Sequence, residues 1–288
     1  MRGSAVLLDS KLYAELLRRS NVSRSLNSEQ RTVFDVTTMG RYLGPRVSEY
    51  AQTTDKTVDY HVYPSGKQVI KAFIANDFQF INVKGQVITE LSDASIAVVD
   101  RARITWRIQK NRQNNQKITL PCDKTNPAIC PVLAALRLVL RARRLSQPDS
   151  MPVACYLKKD AMTYITGSRI AFHFRAAAKA VHPNLSKDDE QRYSAHSMRV
   201  WACVLLDEAG KSPDYIKKRL RWMGDSFRMY LRDTHVIQDQ HREALRASSE
   251  EVMDLVSALP ADILRFSIMS EEIAGDDEDM GVYHDDMD

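Results

Sequence analysis

The sequence predicts an α+β chain, mainly helical, with a small antiparallel β-sheet set into its middle. Apolar residues at helical spacing, bracketed by helix-start and helix-stop residues, mark both ends of the chain. Between them, residues 71–120 carry short runs rich in Val, Ile, Phe and Trp, and two of these flank the polar turn NRQNNQ.

Taken in order, Asp9 to Arg19 forms an amphipathic stretch, and the polar SNVSRSLNS that follows reads as a linker. The main domain is expected from about Asn27, where Ser28 can cap a helix running to about Leu43. Gly44 and Pro45 stop that helix just before Arg46, which places this arginine at a helix–helix junction. The runs KAFIA, FQFIN, GQVIT, RITWRIQK and KITLP then suggest strands. In RITWRIQK, Ile104, Trp106, Ile108 and Lys110 alternate onto one face, so a hairpin would present Lys110 and Lys117 near its tip. Pro131 suits the first position of a helix carrying Leu133, Leu136 and Leu140, and Ser168 can cap the basic helix SRIAFHFRAAAKAV. Further on, Ser194 can cap a helix bearing His196 and Arg199, with Gly210 at its end. Ser212 and Pro213 open another helix that Gly224 closes, and Asp225 or Ser226 can cap a third carrying Tyr230.

Bulk composition is that of a globular chain of 288 residues, long enough for one large domain or two small ones. Its net charge of +4 conceals a split, because residues 271–288 hold nine acids and no Lys or Arg. The remainder has 41 basic against 28 acidic residues, a charge of about +13 followed by an acidic tail expected to be disordered. A basic body attracts polyanions, nucleic acid foremost. Cys122, Cys130, Cys155 and Cys203 show neither a disulfide framework nor CxxC metal spacing, so reduced structural thiols are expected. No apolar run spans a bilayer and no signal-peptide pattern opens the sequence, so an intracellular chain with no membrane partner is expected.

Taken singly, His196 and Arg199 would be a helix start with a surface ion pair, Tyr230 and Trp222 packing residues, and Arg46 a solvated loop arginine. The runs RARR at 141–144 and KKRLR at 217–221 read as DNA-facing or solvated helix faces. Jointly the residues say more. His196 and Arg199 lie one helical turn apart and can converge on one phosphate, with Trp222 and then Tyr230 following.

This set, in this order, resembles the tyrosine recombinase (phage integrase) family over about residues 27–234. Arg46, followed by Glu49 in LGPRVSEY, stands for the family's first arginine, Lys110 for its lysine, HSMR for its His and second Arg, Trp222 for its His or Trp, and Tyr230 for its nucleophile. The resemblance implies a tyrosine recombinase-like catalytic domain over 27–260. Residues 1–26 would then be a helix and linker, a remnant of an N-terminal DNA-binding domain, and 261–288 an acidic tail. It implies cleavage and rejoining of double-stranded DNA through a 3′-phosphotyrosine, as in integration by a mobile element, with no cofactor and no metal, by a homo-oligomer assembled on DNA. Lys110 is the implied general acid and Lys117 its rival, while Glu49 is expected to hold local structure. The alternatives are a type IB topoisomerase-like relaxing activity, which shares nucleophile and arginines, and a non-catalytic DNA-binding protein descended from a recombinase.

Overall fold

The computed structural model describes residues 8–23, 25–109 and 114–231. These fold into α1 (Ser10–Val22), α2 (Glu29–Leu43), β1 (Tyr60–Val62), β2 (Gln68–Ile70), β3 (Phe78–Asn82), α3 (Ser95–Val98), β4 (Val99–Trp106), β5 (Gln116–Pro121), α4 (Pro131–Arg144), β6 (Cys155–Lys158), β7 (Ala161–Tyr164), α5 (Gly167–Val181), α6 (Lys187–Arg192), α7 (Ser197–Glu208) and α8 (Pro213–Leu220). The chain is mainly helical α+β. Among the described residues its β-structure is three small antiparallel sheets: β1–β2, β3–β4–β5 and β6–β7.

Helix α2 is the centre, packed against α1, α4 and α7. Its start and stop are local. The Ser28 side chain accepts from Arg31 N at 3.3 Å, and Gly44 turns left-handed at φ 51° with its N–H on Gly40 O. Gly40 lets α2 and α7 touch, since a Cβ there would lie 2.6 Å from Met198 Sδ. On α4, Pro131 stands at the first position and apolar residues cover most of the surface. Val132, Leu133, Leu136, Leu138, Val139 and Leu140 are all buried, as in a helix enclosed by its neighbours. A buried carboxylate ties the two helices together: Asp35 accepts from Arg137 Nε at 2.6 Å and Arg141 Nη2 at 2.7 Å.

Several sequence expectations need correction. The first helix runs on to Val22, into the expected linker. KAFIA is not a strand. Phe73 N instead donates to Glu49 O at 2.8 Å and its carbonyl accepts from Val153 N, so the segment is held between two loops. GQVIT contributes only a bridge between Ile81 and Val87. The basic helix is capped by Thr166, whose hydroxyl accepts from Arg169 N at 3.2 Å, and not by Ser168. The RARR run is not a free basic face, because Arg141 is buried on Asp35, Arg143 pairs with Asp149 and Arg144 with Asp93. In β4, Ile104 and Trp106 do face the core. The strand ends at Trp106, so Ile108 lies past it and Lys110 falls outside the described residues. Lys117 sits opposite Thr105, one pair short of the turn end of the ladder.

Candidate active site

A turn, two helix ends and a short 3-10 segment meet on the side of α2 and α7. The turn follows Gly44: Arg46 to Glu49 closes on itself, with Glu49 Oε2 accepting from Arg46 N at 2.7 Å and Oε1 from Arg46 Nη1 at 3.1 Å. Glu49 is buried, whereas the Arg46 side chain keeps 26% of its surface exposed. Arg46 is therefore anchored at one edge and open at the other.

Helix α7 supplies the next pair. His196 is its N-cap residue and makes no side-chain cap bond. Contrary to expectation Ser194 does not cap the helix by its hydroxyl; its carbonyl accepts from Ser197 N. One turn in, Arg199 is 4% exposed. Its Nη1 donates to Gly44 O and its Nη2 to Leu220 O at 3.1 Å, the carbonyls at which α2 and α8 end. Burial lowers its pKa to about 10, and the charges of Arg46 and Arg221 push the same way while Glu49 and Tyr230 oppose them.

Helix α8 begins as expected, with the Ser212 hydroxyl accepting from Tyr215 N and Pro213 at the first position, but it ends at Leu220, before Gly224. Arg221 takes the left-handed conformation there, φ 60°, and directs Trp222 back across the site. The Trp222 ring lies under Arg199, 4.2 Å from ring centroid to Cζ. Its indole N–H is buried with no partner among the described residues.

Tyr230 ends the 3-10 segment Asp225–Tyr230, which follows Gly224 with no side-chain cap from Asp225 or Ser226. Phe227 anchors this segment. It is fully buried with Val200, Cys203, Ile216 and Leu220, a burial contributing about 2–3 kcal/mol. Trp222 and Tyr230 pack on that cluster with ring centroids 5.8 Å apart. The Tyr230 hydroxyl reaches His196 Nε2 at 2.9 Å. Burial raises the phenol's pKa, Arg199 opposes the rise and Cys203 adds to it. Burial, reinforced by Arg199, lowers that of His196. Near neutral pH the pair is thus a protonated phenol beside an uncharged imidazole, the state from which a proton passes from oxygen to nitrogen.

The structure thus brings Arg46, His196, Arg199, Trp222 and Tyr230 into one site, with Glu49 beneath Arg46. Lys117 is exposed and lines an adjoining groove of about 330 Å³ with Trp106, Tyr215, Lys218 and Arg221. Lys110 is outside the described residues.

Sequence reasoning missed Arg221, taken as part of a DNA-facing or solvated basic run. It is 4% exposed, forms a two-pronged pair with Glu49 at 3.1 Å on each side, and lies 3.2 Å above the Trp106 ring centroid. The arginine at the end of an amphipathic helix carried no mark of burial, because its partner stands 172 residues away.

No protein-family model matches the sequence, and no curated protein does. Among solved structures, a Tyr-to-Phe variant of the Tn1549 transposon integrase in complex with transposon right end DNA is similar at 14% identity and a TM-score of 0.44, over 84% of this chain and 66% of that one. The same integrase in complex with circular intermediate DNA is similar at 14% identity and a TM-score of 0.36, over 83% of this chain and 64% of that one. The chain spans about two thirds of the length of these integrase chains.

Proposed function

We propose that the chain cleaves and rejoins DNA strands through a covalent 3′-phosphotyrosine on Tyr230, as a recombinase or integrase of a mobile element. The observation that carries this reading is the 2.9 Å contact between the Tyr230 hydroxyl and His196 Nε2, set beside two arginines. A lone phenol with a raised pKa is a poor nucleophile. A neutral imidazole in contact and cations nearby supply what it lacks.

In the forward step Tyr230 Oη attacks phosphorus and its proton passes to His196 Nε2. The bond from phosphorus to the 5′-oxygen breaks, and a lysine of the β4–β5 hairpin, Lys110 before Lys117, protonates the departing oxygen. The bond energy is held in the phosphotyrosine, so a 5′-hydroxyl of the same or another strand can reverse the step without an energy source. The charge gathering on the nonbridging oxygens in the transition state meets Arg46, Arg199 and the unpartnered indole N–H of Trp222. Exchange between two duplexes calls for several copies on DNA. The segment after Tyr230 that would join them lies outside the described residues.

The test is covalent trapping. The protein is incubated with nicked duplexes of randomised sequence and denatured, and DNA-linked peptide is mapped, with Tyr230→Phe alongside. An adduct on Tyr230 that the variant lacks is the expected result, and the recovered DNA defines the preferred site. Tight, salt-sensitive binding with no adduct would instead make the chain a DNA-binding descendant. Relaxation of plasmids of any sequence would make it topoisomerase-like.

A further inference from the structure

We infer that Arg221 is a positioning residue of this site, a buried clamp that holds Glu49 and, through it, fixes the direction in which Arg46 presents its charge. The inference rests on the strand-cleavage reading above and adds to it a residue outside the motif that suggested that reading.

Four observations converge. Arg221 adopts φ 60°, a left-handed conformation in which a side chain is strained and glycine is the usual occupant of a helix end. A residue held there against that cost is held by its contacts. Those contacts are specific: both terminal nitrogens of Arg221 take the two oxygens of Glu49 at 3.1 Å, and the guanidinium is stacked on Trp106 at 3.2 Å. Burial lowers the pKa of Arg221 while Glu49 raises it, as expected of a cation out of water beside one anion. Finally, Glu49 is shared, since the same carboxylate takes the Arg46 backbone N–H and Nη1.

The geometry assigns the roles. Arg221 turns its guanidinium onto Glu49 and Trp106, whereas the Arg46 side chain is partly open. Without Arg221, Glu49 would be a buried carboxylate with one cation left to neutralise it. It would then draw the Arg46 guanidinium inward, away from a phosphate. With Arg221 in place, both Glu49 oxygens are already engaged from the protein side, and Arg46 is aligned by the carboxylate without being consumed by it. Arg221 also contacts Gln109 Oε1 at 3.5 Å, and Gln109 N in turn donates to Asn114 Oδ1 at 2.8 Å. The clamp therefore also reaches the connection between β4 and β5.

The experiment uses Arg221→Gly, which suits the left-handed backbone and so removes the guanidinium with least risk to folding. Arg221→Lys, which keeps the charge without the fork, is measured beside it. Single-turnover formation of the Tyr230 adduct is measured on the trapped site with an ordinary scissile diester and with a methylphosphonate, whose missing nonbridging charge lowers the need for an arginine. Tm and DNA Kd are read in parallel. Arg221→Gly is expected to slow adduct formation on the diester about tenfold or more, with Kd within about threefold of the parent. The deficit should shrink to about threefold or less on the methylphosphonate, and Arg221→Lys should fall between glycine variant and parent. An equal deficit on both linkages would make Arg221 merely structural, and a glycine variant as fast as the parent would overturn the inference outright. If the parent itself forms no adduct on Tyr230, the strand-cleavage reading fails and takes this one with it, an outcome distinct from a competent parent with an unaffected variant.

Discussion

At Tyr230 and His196 the same environment acts on two groups in opposite senses: burial keeps the phenol protonated and the imidazole uncharged. In the proposed step His196 is the base and must be neutral, and burial, reinforced by Arg199, holds its pKa below the ordinary 6.5. Single-turnover adduct formation is therefore expected to be flat through pH 7 and to fall only as the pH drops below 6.5, a limb that His196→Gln removes. The sign for stability follows from the same shift. Between the folded value and 6.5 the unfolded chain binds the extra proton, so the contribution of His196 is complete above 6.5 and erodes below it. Acid unfolding of the His196→Gln variant should show a correspondingly shallower loss across that window. At Trp222 the ring and the N–H can be separated. Trp222→Phe keeps an aromatic ring against Tyr230 and Phe227 and drops the unpartnered donor. It is expected to slow cleavage about tenfold with DNA affinity unchanged, as read from adduct rate against Kd.

The helices impose their own tolerances. Gly44 has φ 51°, and a Cβ there would stand 2.9 Å from Leu220 Cδ2, so Gly44→Ala is expected to cost about 1–3 kcal/mol in urea unfolding. Asp35→Asn leaves Arg141 buried beside half a partner, and a loss of about 3–5 kcal/mol is expected by the same measurement. Elements whose boundaries are made by neighbours in the chain were legible in the sequence. Ser28, Gly44, Pro131 and Ser212 act on residues within four positions, and each begins or ends a helix as read. The β1–β2 and β6–β7 hairpins escaped notice for physical reasons. The first is short and largely exposed, so it has no apolar alternation. The second turns at Lys159 and Asp160, both with positive φ but without the glycine that marks such turns. In the site, Arg46, His196, Arg199, Trp222 and Tyr230 stood out because residue type and order are sequence properties. Arg221 did not, because its burial is decided by Glu49 and Trp106, which only the folded chain brings to it.

Across the whole molecule, a basic body is followed by an acidic end. DNA binding is expected to weaken steeply with salt, each neutralised phosphate contributing about −0.9 to the log–log slope, and removal of residues 271–288 should raise affinity at low ionic strength and matter little at high. A titration of Kd against salt for both chains checks this. The hold on Arg199 has a different reach. Its guanidinium is gripped by the last carbonyls of two helices far apart in the chain, Gly44 of α2 and Leu220 of α8. Those oxygens converge only when the two segments have docked, so an incompletely folded chain has a tyrosine but no oriented cation to go with it. On the strand-cleavage reading proposed above, arming of the nucleophile and completion of the fold thus coincide.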